Sequence, residues 1–566
     1  MSVVLNPNPI KKTGNLLSTL PSTRIRRTLR VKEDLDKFFY EEQAQSIAHA
    51  LGLSSIDLYG FPIESSALAS IPAETAKKFN IGAFSFSNQE IYLATNDPYF
   101  PGQAEFLKEF GAKRKYKLFI CSQMSFEKLL KAYNAVVKNK DVDDSIQIST
   151  ERMDNKTNQT LSLAELNTVL AKTSISEMIE TVLIAALQNN ASDIHFEPEK
   201  ETYNLRLRLD GVLHTFADLP KENQKAVESR IKIISGLKIN VDNIPQDGRF
   251  TFKAADKDID VRVSMLPSNY GYSIVMRLLG TGSVGLDLDL LGFTGTARDR
   301  INAAIQKPQG LILTTGPTGS GKTTTLYSFL KTLNDGESKI ITLEDPIEYK
   351  LDGISQTQID AAAGYTFSSG LRSILRQDPD VVLVGEIRDK ETAEIAIQAS
   401  LTGHQVLSTI HTNDAAGSIP RLMEMGVKGF LLADSLAVVI GQRLVRRLCD
   451  YCKHDHVLTV EERTLVIEQL SKLPGQHPQI PLKMKFLTSD GCPQCNGLGY
   501  KGRIGVYEVM VVGDKLRDLL STQFPSINQV RQVASEEGML TMMQDGILKA
   551  LQGYTDLKEL IRNISS

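Results

Sequence analysis

Eight residues constrain this chain more than any others. Gly316-Pro317-Thr318-Gly319-Ser320-Gly321-Lys322-Thr323 fills every fixed position of the pattern G-x-x-x-x-G-K-[ST]. Residues 310–315 before it read as a short buried strand, and residues 323–330 continue as a helix with apolar spacing. Strand, glycine loop and helix thus occur in the order a phosphate cradle requires. Glycines 316, 319 and 321 allow backbone N–H groups to turn toward phosphate, where the helix N-terminus adds its partial positive charge. Lys322 is predicted to reach the β- and γ-phosphates and Thr323 to offer a hydroxyl to Mg²⁺. With Thr324, which follows, residues 316–324 form the predicted nucleotide-binding set, for ATP with Mg²⁺.

At 566 residues the chain exceeds what one hydrophobic core usually organises, so several domains are expected. A net charge of −3 gives no global basic field, and no nucleic-acid partner is expected. No run of 18 apolar residues occurs, and the opening residues lack a secretory signal, which predicts a cytoplasmic chain with at most peripheral membrane contact. Residues 1–32 carry Lys11, Lys12, Arg24, Arg26, Arg27 and Arg30, and read as a solvated basic arm; contact with an anionic membrane surface is the alternative.

From 33 to 138, helical stretches such as 41–51 alternate with short strands such as 90–95, a small α/β domain. Residues 139–160 are polar and acidic and read as a linker that tethers this domain flexibly. A capping box, Ser174 with Glu177, opens an amphipathic helix, and residues 203–210 alternate apolar and polar like a half-buried strand ending at Asp210-Gly211. With further strands at 259–266 and 272–279, the region 161–290 reads as an α+β domain. From 291 to 566, apolar strands at 310–315, 339–343, 381–384 and 405–410 alternate with helices, the pattern of a parallel sheet covered on both faces, before a helical C-terminus.

Glu386 ends the apolar run 380–386, where a carboxylate can reach a metal's hydration shell, and Glu344, Asp345 and Glu348 cluster after another strand. Any of the four could orient the attacking water, and spacing alone does not rank them. His404 and His411 lie at opposite ends of the strand 405–410, and Arg372 and Arg376 share one helix face at i,i+4. Four of the five cysteines form Cys449-x-x-Cys452 and Cys492-x-x-Cys495, two knuckles with zinc-ligand spacing. They predict a structural Zn²⁺ in a subdomain at about 445–500, whose intervening residues hold a helix capped by Thr459 and Glu462. His454 and His456 are weaker alternative ligands. Cys121 stands alone as a small core residue.

Taken together, these motifs resemble the secretion ATPases that drive type IV pilus assembly and type II secretion. The resemblance rests on residues 191–198, 245–250, 344–348, 385–389, 402–406 and 499–508, reading ASDIHFEP, PQDGRF, EDPIE, GEIRD, TGHQV and GYKGRIGVYE. It implies an α/β fold with a RecA-like core, a PAS-like α+β domain before it and hexameric rings. It also implies Glu348 as general base, Glu386 as the carboxylate supporting Mg²⁺ and the attacking water, and His404 and His411 as γ-phosphate sensors. Arg262 and Arg277 match the family's arginine pair, Arg372 and Arg376 its second basic pair. The implied partners are an inner-membrane platform protein and, through the N-terminal domain, a cytoplasmic pilus alignment protein. Only one N-terminal module fits, without the Arg-Leu-Gly opening by which some relatives bind a cyclic dinucleotide. Pilus assembly is the leading expectation because retraction members lack the cysteine insertion. Type II secretion is the runner-up, and a DNA-processing ATPase is more distant.

Overall fold

The computed structural model describes residues 39–58, 61, 63–87, 90–137, 147–148, 174–254, 257–279, 287–474, 484–522 and 524–564. The basic arm and, apart from 147–148, the linker lie outside these. The chain divides into two units, one of residues 1–185, 193–206 and 215–277, the other of 186–192, 207–214 and 278–566.

In the first unit, β1 (Ser54–Ser55), β2 (Gly82–Ser87), β3 (Glu90–Thr95) and β4 (Tyr116–Ile120) form a sheet in the order β1-β4-β3-β2. Alternation puts Ile91 and Leu93 on its buried side, packed with Phe84, Leu129 and Tyr133. The linker expected to tether this module lies outside the described residues apart from 147–148, and the module also makes contacts elsewhere in its own unit. Asn240 receives the N–H of Ile63 at 2.7 Å and donates to the carbonyls of Phe61 and Leu58, while Ile239 packs on the module's core. An asparagine offers both donor and acceptor, so one side chain can close a loop from outside. The sequence gives no sign of this contact, because its partners lie about 180 residues away.

The second sheet comprises β5 (Gln147–Ile148), β6 (Asp193–Pro198), β7 (Thr202–Leu209), β8 (Val212–Pro220), β9 (Gln246–Ala254), β10 (Lys257–Ser268) and β11 (Gly271–Leu279), ordered β5-β9-β10-β11-β6-β7-β8. The alternation of β7 appears as an alternation of burial. Asp210 and Gly211 both take positive φ, as a two-residue hairpin turn demands. The Ser174–Glu177 box forms reciprocally at the head of the helix Ile175–Gln188.

The large sheet of the second unit holds β12 (Gly310–Thr315), β13 (Ile340–Glu344), β14 (Ser355–Gln358), β15 (Val381–Val384), β16 (Gln405–Ile410), β17 (Leu436–Leu448) and β20 (Tyr500–Val511), ordered β14-β13-β15-β16-β12-β17-β20. All four expected strands are present as parallel neighbours, fully buried as their apolar runs require. The sheet is mixed, because β20 pairs antiparallel with β17. Cores lie on both faces, one around Leu313, Leu343 and Val406, the other around Ile312, Phe329 and Val438. A hairpin of β18 (Lys453–His456) and β19 (Phe486–Ser489) sits beside the helix Val460–Ser471. Thr459 and Glu462 form its capping box. Among the described residues no helix is long and apolar enough to cross a membrane.

Candidate active site

The phosphate loop leaves the carboxyl end of β12 and closes into the helix Lys322–Leu333. Glycine is required at position 316 for two reasons. Its φ is +143°, and a Cβ there would lie 2.4 Å from the carbonyl oxygen of Gln442 on β17. Pro317, Thr318 and Gly319 form the exposed tip, and Ser320 and Lys322 lie buried beneath. Gln442 Nε2 donates to Ser320 O at 2.8 Å and so props the loop from below. Lys322 Nζ donates to the loop's own carbonyls, Gly316 O at 2.8 Å and Pro317 O at 3.2 Å. Burial draws the Lys322 ammonium below the usual lysine range, while the Glu386 charge opposes that shift. Thr323 and Thr324 occupy the first helical turn.

Strand order explains how distant residues meet. β15, β16 and β12 are adjacent and parallel, so their carboxyl ends form one edge. Glu386 follows β15 and His411 follows β16. Their side chains meet at 3.1 Å, His411 Nε2 to Glu386 Oε2, and the other Glu386 oxygen pairs with Arg388. The Glu386 carboxylate is thereby fixed beside the loop. Arg388 is a residue that the motif at 385–389 contains but that the role assignments pass over.

The same parallel register separates the two histidines. Gly310 pairs with Gln405 and Thr315 with Ile410, so His404 lies at the amino edge, about 23 Å from His411 at the usual rise per residue. Its Nδ1 contacts Ala399 O at 3.1 Å. The strand therefore carries His404 to the edge of the sheet opposite this phosphate loop, whereas His411 lies on the loop's own edge.

The structure also sorts the carboxylates after β13. Glu344 is buried and receives the hydroxyls of Tyr327 and Thr342 and the Gln356 amide, the last two at 2.5 and 3.2 Å. It is a structural hub. Glu348 lies half-buried on the following loop, its N–H directed at Tyr327 Oη at 3.4 Å. Arg372 pairs with Glu391 at 2.7 Å, and Arg376 caps its own helix through Arg372 O and Ser373 Oγ, a solvated surface arrangement. Arg262 on β10 stands directly opposite Arg249 on β9, a like-charge cross-strand pair that a shared anion would relieve. Arg277 is held by buried Asp193 at 2.8 Å. These three arginines belong to the first unit and the phosphate loop to the second.

The four cysteines converge. Their sulfurs all lie within 4.8 Å of one another, with Cys449–Cys492, Cys452–Cys495 and Cys492–Cys495 at 3.8, 3.9 and 3.7 Å. A tetrahedron of Zn–S bonds has S···S edges of about 3.8 Å, so the donor set fits Zn²⁺. Backbone N–H groups of Cys492 and Gly499 each point at Cys495 Sγ at 3.2 Å, the outer-shell support that thiolate ligands favour. Neither histidine joins them: His456 binds Glu462 at 2.8 Å, and His454 faces Asp490. Cys121 is a buried core thiol pushed up by its burial.

With this geometry in hand, comparison with known proteins is decisive. Residues 169–562 match the family model described as Type II/IV secretion system protein, and residues 51–138 match the MshEN domain. The chain belongs to the type II/IV secretion ATPase family. It is 46% identical over 388 residues to the type II secretion system protein E of Pectobacterium carotovorum subsp. carotovorum, covering 69% of this chain and 75% of that protein. It is 36% identical over 519 residues to the type IV pilus assembly ATPase PilB of Myxococcus xanthus, covering 90% and 89%. The solved ATPase DotB of Legionella pneumophila, at 22% identity and TM-score 0.50 over 68% of this chain and 95% of that one, shares the fold. This secretion ATPase family member carries its phosphate loop, Glu348, Glu386 and His411 on one edge of the core sheet.

Proposed function

We propose that this chain is the motor ATPase of type IV pilus assembly, working as a homohexamer. The stroke passes to an inner-membrane platform protein that adds pilin to the filament, and the module at 33–138 docks a cytoplasmic alignment protein. The observation that carries this reading is coverage: similarity to the Myxococcus pilus ATPase spans 90% of the chain, the N-terminal module included. Type II secretion is the second reading, favoured by the higher identity over the core.

In the proposed reaction, residues 316–324 bind ATP and Lys322 exchanges its contacts with Gly316 O and Pro317 O for phosphate oxygens. Thr323 and Glu386 would hold Mg²⁺, which when bound supplies Lewis-acid stabilisation of the transferred phosphoryl group. Glu348 orients and deprotonates the attacking water. His411 fixes the Glu386 rotamer and reports loss of the γ-phosphate. Arg262, from a neighbouring copy or domain, neutralises developing charge. Cys449, Cys452, Cys492 and Cys495 would hold a structural Zn²⁺ with no open catalytic position. The chain acts on the cytoplasmic face of the membrane.

A Glu348→Gln substitution in the native host tests the choice. Loss of surface filaments with continued protein export supports pilus assembly, whereas loss of export with filaments retained supports type II secretion.

A further inference from the structure

The loop bearing Glu348 is pinned by a network that neither the motif pattern nor the comparisons assign to the reaction. At its centre is Tyr327, on the phosphate-loop helix, fully buried. Its hydroxyl has one proton, and that proton goes to Glu344, itself buried and accepting from Thr342 Oγ1 at 2.5 Å and Gln356 Nε2 at 3.2 Å. With its donor so committed, the phenolic oxygen presents lone pairs elsewhere. One faces the backbone N–H of Glu348 at 3.4 Å. The ring of Tyr327 meets that of Tyr349 edge-on, with centroids 4.6 Å apart. Across the loop, Gln356 on β14 donates to Tyr349 O at 3.2 Å and accepts from Leu351 N at 2.7 Å. The segment 348–351 is therefore held from the phosphate-loop helix on one side and from the edge strand on the other, both through Glu344.

We infer that Tyr327 is a positioning residue for hydrolysis, fixing the Glu348 main chain relative to the phosphate loop through its hydrogen bond to Glu344 and its contact with the Glu348 N–H. The covalent route is short. Tyr327 lies five residues after Lys322 on one continuous helix, so a displacement of that helix on nucleotide binding moves the phenol with it. Burial and the adjacent Glu344 push the phenol above the usual tyrosine range, which keeps the hydroxyl a donor at every working pH. The inference rests on the reading of Glu348 as the base.

Tyr327→Phe removes the hydroxyl and keeps the ring. Because a small misplacement of a reacting group costs up to about 100-fold in rate, kcat is expected to fall about 10- to 100-fold, with KM for ATP and the Kd for a fluorescent ADP analogue within about 2-fold of wild type. Gln356→Met, which releases the loop from the other side, should give the same split to a lesser degree. In a Glu348→Gln background, Tyr327→Phe should add no further loss, since the positioned group is already gone. Wild-type kcat for Tyr327→Phe, or a full additional loss in the double variant, overturns the inference. Parallel losses of nucleotide affinity, thermal midpoint and kcat would also overturn it, by showing a merely structural role. Wild-type activity of Glu348→Gln alone would instead remove the reading of the base on which it rests.

Discussion

Replacing Cys495 by serine tests the metal reading at a buried ligand. Cys495 is 3% exposed and anchors two of the short sulfur contacts, at 3.7 and 3.9 Å. Burial raises its thiol, but the N–H groups of Cys492 and Gly499 outweigh that and bring it down to about 7. A hydroxyl has no comparable anionic form at neutral pH, so the substitution removes one of four ligands. If about 10–16 kcal/mol of structural zinc binding is shared among four thiolates, one ligand is worth roughly 3 kcal/mol, about 100-fold in affinity. Wild-type protein should carry one zinc per chain by elemental analysis. Cys495→Ser should lose it to a moderate chelator that leaves the wild type loaded, and proteolysis should then cut within 449–500. The hairpin and its helix contribute Val466, Leu470 and Phe486 to the core shared with Met542 and Ile547, so the thermal midpoint should fall as well. Stoichiometric zinc in the variant with an unchanged midpoint would refute the reasoning. Acid should release the metal from the wild type, because ligands must be deprotonated to bind.

Three further outcomes follow from the same contacts. Gly316→Ala forces a Cβ to within 2.4 Å of the Gln442 carbonyl, so ATP affinity should drop at least about 10-fold by fluorescence titration, whereas Gly319→Ala, with open space around it, should lose less; equal losses would place the constraint elsewhere. Burial raises Glu559, but Arg446 and Arg562, both at 2.8 Å, hold its carboxyl below the usual range; the stability it contributes is thus present above the unfolded glutamate range, about 4.3, and lost as pH falls through the folded value, so Glu559→Gln should flatten the acid decline of the thermal midpoint. Arg262→Ala should lower ATPase activity in the assembled ring by about 10³-fold, and an unchanged rate would leave the Arg249–Arg262 pair a structural feature only.

What the sequence discloses and what it hides divide along chain distance. The phosphate loop, the cysteine knuckles and the capping boxes of residues 174–177 and 459–462 are local patterns whose chemistry depends on near neighbours, and all are legible. The strands of the core are equally legible, because a strand buried on both faces must be apolar throughout. Ranking of the carboxylates is not legible: Glu344 and Glu348 are four residues apart, and what separates them is Gln356 on a neighbouring strand and Tyr327 on a helix. Likewise, the support of Ser320 by Gln442 joins residues 122 positions apart. His404 and His411 look like a pair because they flank one strand, yet flanking a strand is what keeps them apart.

The loop after His411 connects this edge of the sheet to the C-terminal helices, and one buried carboxylate makes the connection. Glu508 on β20 accepts the N–H of Ala415 at 3.1 Å and that of Met542, the first residue of the helix Met542–Leu551, at 3.3 Å. Arg531 secures the neighbouring Asp414 at 2.6 Å. Burial pushes Glu508 above the usual carboxylate range, partly offset by those two N–H groups, so its charge is tolerated for the donors it satisfies. Glu508→Leu tests which effect wins. It relieves a buried charge but leaves two buried donors unpaired, each costing about 1–3 kcal/mol. The net expectation is a thermal midpoint several degrees lower, with zinc content unchanged because the cysteines are untouched. A midpoint equal to or above wild type would mean that the carboxylate is a net burden, and that the Arg531–Asp414 pair and packing suffice to hold the 411–417 loop to the C-terminal helices.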